Sequence, residues 1–180
     1  MQLDREKIYA EAGPFIIFKC SEASVDSIRL ETRVMPNEVI RVVRGNKSQT
    51  KQAFFNEVAA ALQFPYYFGE NWDAFNECMN DLRDWLPASS YLLIVSNADQ
   101  LLSHETMGQV ETLVKVLERS AHRWESGLNY ERYRQSSLQE LNAQETTGFK
   151  VAFQYNPETA LEENFQKWFK AAKIPIYNLE

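Results

Sequence analysis

The run Tyr91-Leu-Leu-Ile-Val95 contains five consecutive apolar residues without polar alternation. A strand with one face in water alternates apolar and polar residues, whereas a strand of a parallel sheet is covered on both faces and reads as a continuous apolar run. The run therefore predicts a strand at the centre of a parallel sheet. Parallel strands are joined by long crossovers, usually helices, so helices are expected before and after it.

Amphipathic helices are predicted on both sides of this strand. Thr50 is a predicted N-cap, and after it apolar residues recur at helical spacing until Pro65 ends the pattern. Two more segments have the same spacing, the last with Ser103 or Glu105 near its start. The predicted helices cover residues 50–64, 71–85 and 103–124.

Other segments have the composition of strands. Val39–Val43 precedes a turn, and Phe149–Tyr155 alternates. Phe15–Cys20 and Ile28–Val34 are predicted strands that could form an edge hairpin, and residues 157–172 a closing helix. The predicted fold is α/β: a small parallel β-sheet packed by helices, with an N-terminal β extension and a C-terminal helix. The expected division is 1–37, 38–155 with an insertion at 125–148, and 156–180.

Composition limits the classes of partner. The chain has 180 residues, a net charge of −6 and a pI near 5.1, the wrong sign for binding nucleic acid through its phosphates. Cys20 and Cys78 form no CxxC pair and are predicted to be buried thiols. The N-terminus lacks the pattern of a signal peptide, and no stretch approaches about eighteen apolar residues. We expect a soluble cytoplasmic protein with a basic protein partner and no contact with membranes.

The segment from residue 64 to 85 sorts its acidic and apolar residues onto opposite sides of a helix. At 100° per residue, five carboxylates share one narrow stripe. Its members are Glu70, Asp73, Glu77, Asp81 and Asp84. The opposite face is apolar and consists of Trp72, Phe75, Cys78, Met79 and Leu82. The stripe is therefore predicted to face solvent or a partner.

Local stability does not explain this stripe, because like charges four residues apart destabilise a helix by roughly 0.2–0.5 kcal/mol per pair. A charge run is often only a solvated face. Here, however, Tyr66, Tyr67 and Phe68 stand immediately before it, followed by Gly69. Aromatic rings beside carboxylates are typical of a protein-binding surface, although we expect at least one of Tyr67 and Phe68 to pack in the core.

The run Pro65-Tyr-Tyr-Phe-Gly-Glu-Asn-Trp-Asp-Ala-Phe-Asn-Glu-Cys-Met79 resembles the barstar family, intracellular inhibitors of a secreted ribonuclease. It is similar to the family pattern Pro-x-Tyr-Tyr-Gly-Glu-Asn-x-Asp-Ala-Leu-x-Asp-Cys-Leu. The resemblance covers residues 38–124 and 149–155. It implies an inhibitor that covers a basic ribonuclease active site with a helix and the preceding loop, its carboxylates taking the place of RNA phosphates.

The resemblance also implies roles for single residues. Tyr67 and Asp73 match contact positions of the family, and Glu77 matches its dominant aspartate with one methylene more. Asn76 replaces a contact tryptophan and Asp81 a contact glycine, so the target could differ from that of the family. The predicted partner-binding residues are Tyr66, Tyr67, Glu70, Asp73, Asn76, Glu77 and Asp81.

One further contact position of the family lies on the third helix. An ungapped alignment assigns the family's contact glutamate to Arg119, with Glu118 one place away.

Enzymatic alternatives rest on the same carboxylates. Glu70, Asp73 and Glu77 could act as paired acids or hold Mg²⁺. His104 and His122 form no HExxH motif, and the chain has no glycine-rich phosphate loop and no GxSxG. We therefore predict no catalytic residue, metal or cofactor. Three hypotheses remain: an inhibitor of a ribonuclease or other toxin, a binding module of this fold with an unrelated partner, and a carboxylate- or metal-dependent hydrolase.

Overall fold

The computed structural model describes residues 13–26, 37–125, 148–156, 158 and 176–178. The strands of this part are β1 (Phe15–Lys19), β2 (Glu38–Arg44), β3 (Ser90–Ser96), β4 (Gly148–Tyr155) and β5 (Ile176–Asn178). Its main helices are α1 (Lys51–Leu62), α2 (Trp72–Asn80) and α3 (Met107–Glu125). From β2 to β4 the order is strand, helix, helix, strand, helix, strand, as the periodicity predicts.

The strands form one sheet in the order β2-β3-β4-β1-β5, and every neighbouring pair is parallel. Tyr91 of β3 is paired with Val39 of β2 on one side and with Phe149 of β4 on the other. The predicted α/β class with a parallel sheet is confirmed.

Strand β3 is buried on both faces, as its apolar run indicates. Its side chains alternate between two clusters: Tyr91 and Leu93 join the larger one with the helices, while Leu92 and Ile94 join a smaller one on the opposite face. The predicted central position is wrong, however, because β3 is second from the edge and β4 lies in the middle.

The prediction that Phe15–Cys20 forms an edge hairpin is also wrong. This strand lies between β4 and β5 and is parallel to both, with Phe15 opposite Val151. Ile16 and Phe18 fill the smaller cluster and Ile17 the larger one, so both faces of β1 are covered. Ile28–Val34, residues 126–147 of the insertion and nearly all of the closing helix lie outside the described residues.

Helix α1 begins and ends where capping chemistry allows. The Thr50 hydroxyl accepts the Ala53 N–H at 3.2 Å, which confirms the predicted N-cap. The helix ends at Gln63, a C-cap residue with left-handed φ of 55° whose N–H bonds to the Ala59 carbonyl. Its buried side chains are Phe54, Phe55, Val58 and Leu62. The chain therefore leaves α1 just before Pro65, at the start of the candidate site.

Helix α3 packs against α2, and two tryptophan side chains bond the two helices together. The indole N–H of Trp124 donates to the Met79 carbonyl at 3.0 Å, and that of Trp72 donates to Gln109 at 2.8 Å. Glu105 does not start α3 but accepts the Lys51 N–H of α1 at 2.8 Å. None of the helices described is both long and apolar enough to cross a membrane.

Candidate functional site

A tight turn at residues 65–68, called the tyrosine turn below, presents two aromatic rings to solvent. The Phe68 N–H donates to the Pro65 carbonyl at 2.9 Å and closes the turn. Tyr66 is fully exposed and Tyr67 is 68% exposed, and their rings lie 5.6 Å apart. No other large apolar side chain of the described residues is exposed.

The turn keeps this geometry because its other aromatic residues point inward. The rings of Phe64 and Phe68 meet edge to face at 4.9 Å. Phe68 also packs against Phe55 of α1, with centroids 5.8 Å apart. This confirms that one of Tyr67 and Phe68 belongs with the core, and it is Phe68. The exposed tyrosine pair therefore stands on an apolar base.

Helix α2 begins at Trp72, and residues 69–71 connect it to the turn. The Asn71 side chain caps it by accepting the Ala74 N–H at 2.9 Å, and it also donates to the Gly69 carbonyl at 3.0 Å. Asp73 lies in the first turn, where the helix dipole favours a negative charge. The cap thus fixes the direction in which α2 leaves the tyrosine turn.

The two faces of α2 divide as the helical wheel predicts. Phe75, Cys78 and Met79 are buried, whereas Asp73 and Glu77 are exposed. Residues three and four positions apart share a helix face, so Asp73, Glu77 and the half-buried Asn76 form one surface. The chain's own cations do not neutralise it: no ion pair in the described part of the chain involves Asp73 or Glu77.

The predicted stripe of five carboxylates is shorter than expected. Helix α2 ends at Asn80, and Asp81 is its C-cap, with its N–H bonded to the Glu77 and Cys78 carbonyls. A separate 3₁₀ turn, Leu82–Asp84, follows and carries Asp84. Acidic residues at a helix C-terminus are opposed by the dipole, and buried Leu82 turns the chain inward there. The prediction of one helix to Trp85 is therefore wrong.

At the N-terminal end of the predicted stripe, Glu70 does not belong to helix α2. It is not helical but has a left-handed φ of 48°. Its carboxylate accepts a hydrogen bond from Gln52 of α1 at 2.5 Å. Of the predicted site residues, Asp73, Asn76 and Glu77 are brought together on α2, while Glu70 is bound to α1. Sequence patterns gave no sign of Gln52, because the contact joins residues 18 positions apart.

The thiol beneath this surface has an altered pKa. Burial raises the pKa of Cys78 to about 11, and the nearby carboxylates of Asp81 and Glu77 act in the same direction. Cys20 is also buried and forms no disulfide with Cys78, so the prediction of two buried thiols is confirmed.

A well-formed ion pair of the described residues lies away from this surface. Arg44 of β2 donates to Glu57 of α1 through Nε at 2.6 Å and Nη2 at 2.9 Å. These hydrogen bonds lower the pKa of Glu57 below its usual value. Unlike Asp73 and Glu77, Glu57 is thus paired with a cation among the described residues.

A cavity in the described part of the chain lies away from the α2 surface. This cavity of about 500 Å³ opens at the carboxyl ends of β2 and β3, lined in part by Val25, Arg44 and Glu57, and none of the predicted site residues lines it. Within the described ranges, no group of three or more His, Cys, Asp or Glu side chains could hold a metal ion. Glu118 and Arg119 of α3 are both exposed.

Comparison with known families places this surface in context. A family model described as Barstar (barnase inhibitor) matches residues 39–154. The match runs from β2 to β4, includes the tyrosine turn and α2, and covers more than half of the 180 residues. Strands β1 and β5 lie outside it. A search of curated proteins found no match.

Proposed function

The chain belongs to the barstar family, and on that premise we propose that it inhibits a basic ribonuclease or a similar basic toxin. The observation that carries the proposal is the exposed pair Tyr66 and Tyr67 in the loop before Asp73 and Glu77, two carboxylates that make no ion pair within the described residues. Exposed rings supply contact area, and unpaired carboxylates attract a basic surface.

Inhibition of this kind needs no chemistry from the inhibitor. A ribonuclease active site binds the phosphates of RNA through lysine and arginine side chains. Asp73 and Glu77 offer negative oxygens to the same groups, while the tyrosine turn covers the neighbouring surface. Because α2 is capped by Asn71 and packed on α3, the carboxylates are presented with little loss of backbone freedom on binding.

The first experiment measures binding and inhibition with a panel of small basic secreted ribonucleases, barnase among them, using cleavage of a fluorogenic RNA. We expect stoichiometric inhibition by at least one enzyme and an association rate that falls as salt is raised from low to moderate ionic strength. Glu77→Ala, Asp73→Ala and Tyr67→Ala should each weaken that binding more than tenfold.

Stability separates a binding role from a structural one. Glu77→Ala should leave the urea midpoint unchanged or slightly higher, because it removes repulsion between like charges. Asp73→Ala should change the midpoint little, because the repulsion it removes is offset by the loss of a favourable interaction with the helix dipole. Glu22→Ala removes one exposed carboxylate near the smaller core cluster and serves as the matched control, with unchanged affinity. Full affinity in a folded Glu77→Ala protein would count against the inhibitor proposal.

A second candidate is a binding module of the same fold with an unrelated basic partner. Asn76 and Asp81, both half-buried, favour it because they replace residues that contact the target in the family. This candidate predicts that no ribonuclease of the panel is inhibited even at low salt. Calorimetric titration with Mg²⁺, Mn²⁺ and Zn²⁺ tests the third hypothesis, a hydrolase, since that function requires the carboxylates to bind a metal or act as paired acids.

A further inference from the structure

Glu70 differs from Asp73 and Glu77 in its backbone and in its bonding. Its φ of 48° lies in the left-handed region, which a residue with a side chain rarely occupies without support from its surroundings. Its carboxylate accepts the Gln52 side-chain N–H at 2.5 Å. Asp73 and Glu77, by contrast, have helical backbone and no such bond within the described residues.

Gln52 has contacts within α1 in addition to its bond with Glu70. It lies in the first turn of α1, which Thr50 caps. Its side-chain nitrogen also donates to Asn56, one helical turn further along, at 3.2 Å. The donor is therefore an exposed side chain on a capped helix, and the bond connects that helix to the loop residue that precedes the N-cap of α2.

The exposed tyrosines depend on their flanks for their position. Tyr66 and Tyr67 pack on each other, and Phe64 before them and Phe68 after them form the apolar base of the turn. On the far side the chain passes through Gly69 and Glu70 before Asn71 caps α2. The Gln52–Glu70 bond is thus a polar link between this side of the tyrosine turn and α1, in addition to the packing of Phe68 on Phe55.

We propose that Gln52 and Glu70 form a latch that holds the tyrosine turn in its binding geometry, so that Glu70 is a positioning residue and not a charged contact with the partner. The role in binding rests on the proposed inhibitory function. The latch itself is a property of the free protein and can be tested without a partner.

Chymotrypsin cleaves after exposed tyrosines in segments that can unfold locally, so its cleavage rate at Tyr66 and Tyr67 reports how firmly the turn is held. The experiment compares native full-length Gln52→Ala, Glu70→Ala and Glu70→Gln with the parent. Glu70→Gln retains a side-chain oxygen that can accept from Gln52 but removes the charge. Lys51→Ala, a change at the neighbouring exposed position of α1, is the matched control.

We expect cleavage at the turn to rise severalfold in Gln52→Ala and Glu70→Ala and to stay at the parental rate in Glu70→Gln and Lys51→Ala. Circular dichroism checks that all four variants are folded. An unchanged rate in Gln52→Ala overturns the latch, whether or not any ribonuclease binds. A rise in Glu70→Gln equal to that in Glu70→Ala overturns it as well.

Binding to a ribonuclease inhibited by the parent tests the second half of the proposal. A latch predicts parental affinity for Glu70→Gln and a loss of severalfold for Gln52→Ala. A direct charge contact predicts the reverse order, with Glu70→Gln losing affinity as Glu77→Gln does. If none of the ribonucleases binds the parent, the proposed function fails while the cleavage rates still decide the latch.

Discussion

The thiol of Cys78 lies close to the acidic surface. It is buried on α2, and its pKa is raised from 9.0 to about 11, first by burial and then by Asp81 and Glu77. Only the unfolded chain can therefore release this proton near pH 9. Folding stability contributed by the neutral thiol is complete below that pH and is lost as the pH rises toward 11.

We predict that the free energy of unfolding, measured by urea titration at each pH, decreases as the pH is raised from 9 to 11. The contribution of this thiol to the decrease is up to about 1.4 kcal/mol per pH unit. Cys78→Ala should reduce that slope at the lower end of the range. Some decline remains at higher pH because burial also raises the pKa of Tyr91. A Cys78→Ala protein with the parental slope from pH 9 to 10 would show that the thiol is not responsible.

At this scale the sequence identifies which side chains face outward but not which of them are bound. The helical wheel correctly predicts that Asp73 and Glu77 are exposed, since the helical period fixes the face from which each side chain leaves the backbone. It treats Glu70 in the same way, although that residue lies outside the helix and bonds to Gln52. A hydrogen bond between two elements depends on their packing, which no local pattern contains.

At the scale of elements, α2 is defined by what it buries. The Phe75 ring is fully buried and meets Phe54 edge to face at a centroid distance of 5.4 Å, and the rings of Phe64 and Trp72 lie 6.1 and 6.0 Å from it. The spacing of apolar residues predicts this face because it depends only on the helical period. The end of the helix is not predicted in the same way, because it is set by Leu82 entering the core and by the dipole opposing Asp81 and Asp84.

We predict that Phe75→Ala lowers the free energy of unfolding by about 3–5 kcal/mol, because the ring's contacts are lost and a cavity remains. Urea unfolding followed by tryptophan fluorescence measures the change. Phe75→Leu fills part of the cavity and should cost clearly less. Asn76→Ala, at the adjacent half-buried position, is the control for effects on helix formation alone. Equal losses in Phe75→Ala and Asn76→Ala would contradict this account of α2.

At the scale of the whole molecule, β1 extends the sheet beyond the range that matches the family. The family match ends at residue 154, whereas β1 lies on the far side of β4 and carries β5 in turn. The run Phe15–Phe18 is as continuously apolar as Tyr91–Val95. A strand buried on both faces is what such a run predicts, but its partner lies over 130 residues away in sequence, and only tertiary packing selects it.

Removal of residues 1–20 should therefore prevent cooperative folding, because β1 is part of the core. Ile16, Ile17 and Phe18 are each at most 1% exposed, and burying a side chain of this size contributes about 1.5–3 kcal/mol. The three together match a large part of the roughly 5–15 kcal/mol that stabilises a typical domain. We expect the truncated chain to lose its near-ultraviolet circular dichroism and its sharp urea transition.

Within the full chain, Phe18→Ala should be strongly destabilising, while Lys19→Ala, at a half-buried position of the same strand, should change little. A truncated protein that unfolds with the parental midpoint would mean that the sheet is complete without β1.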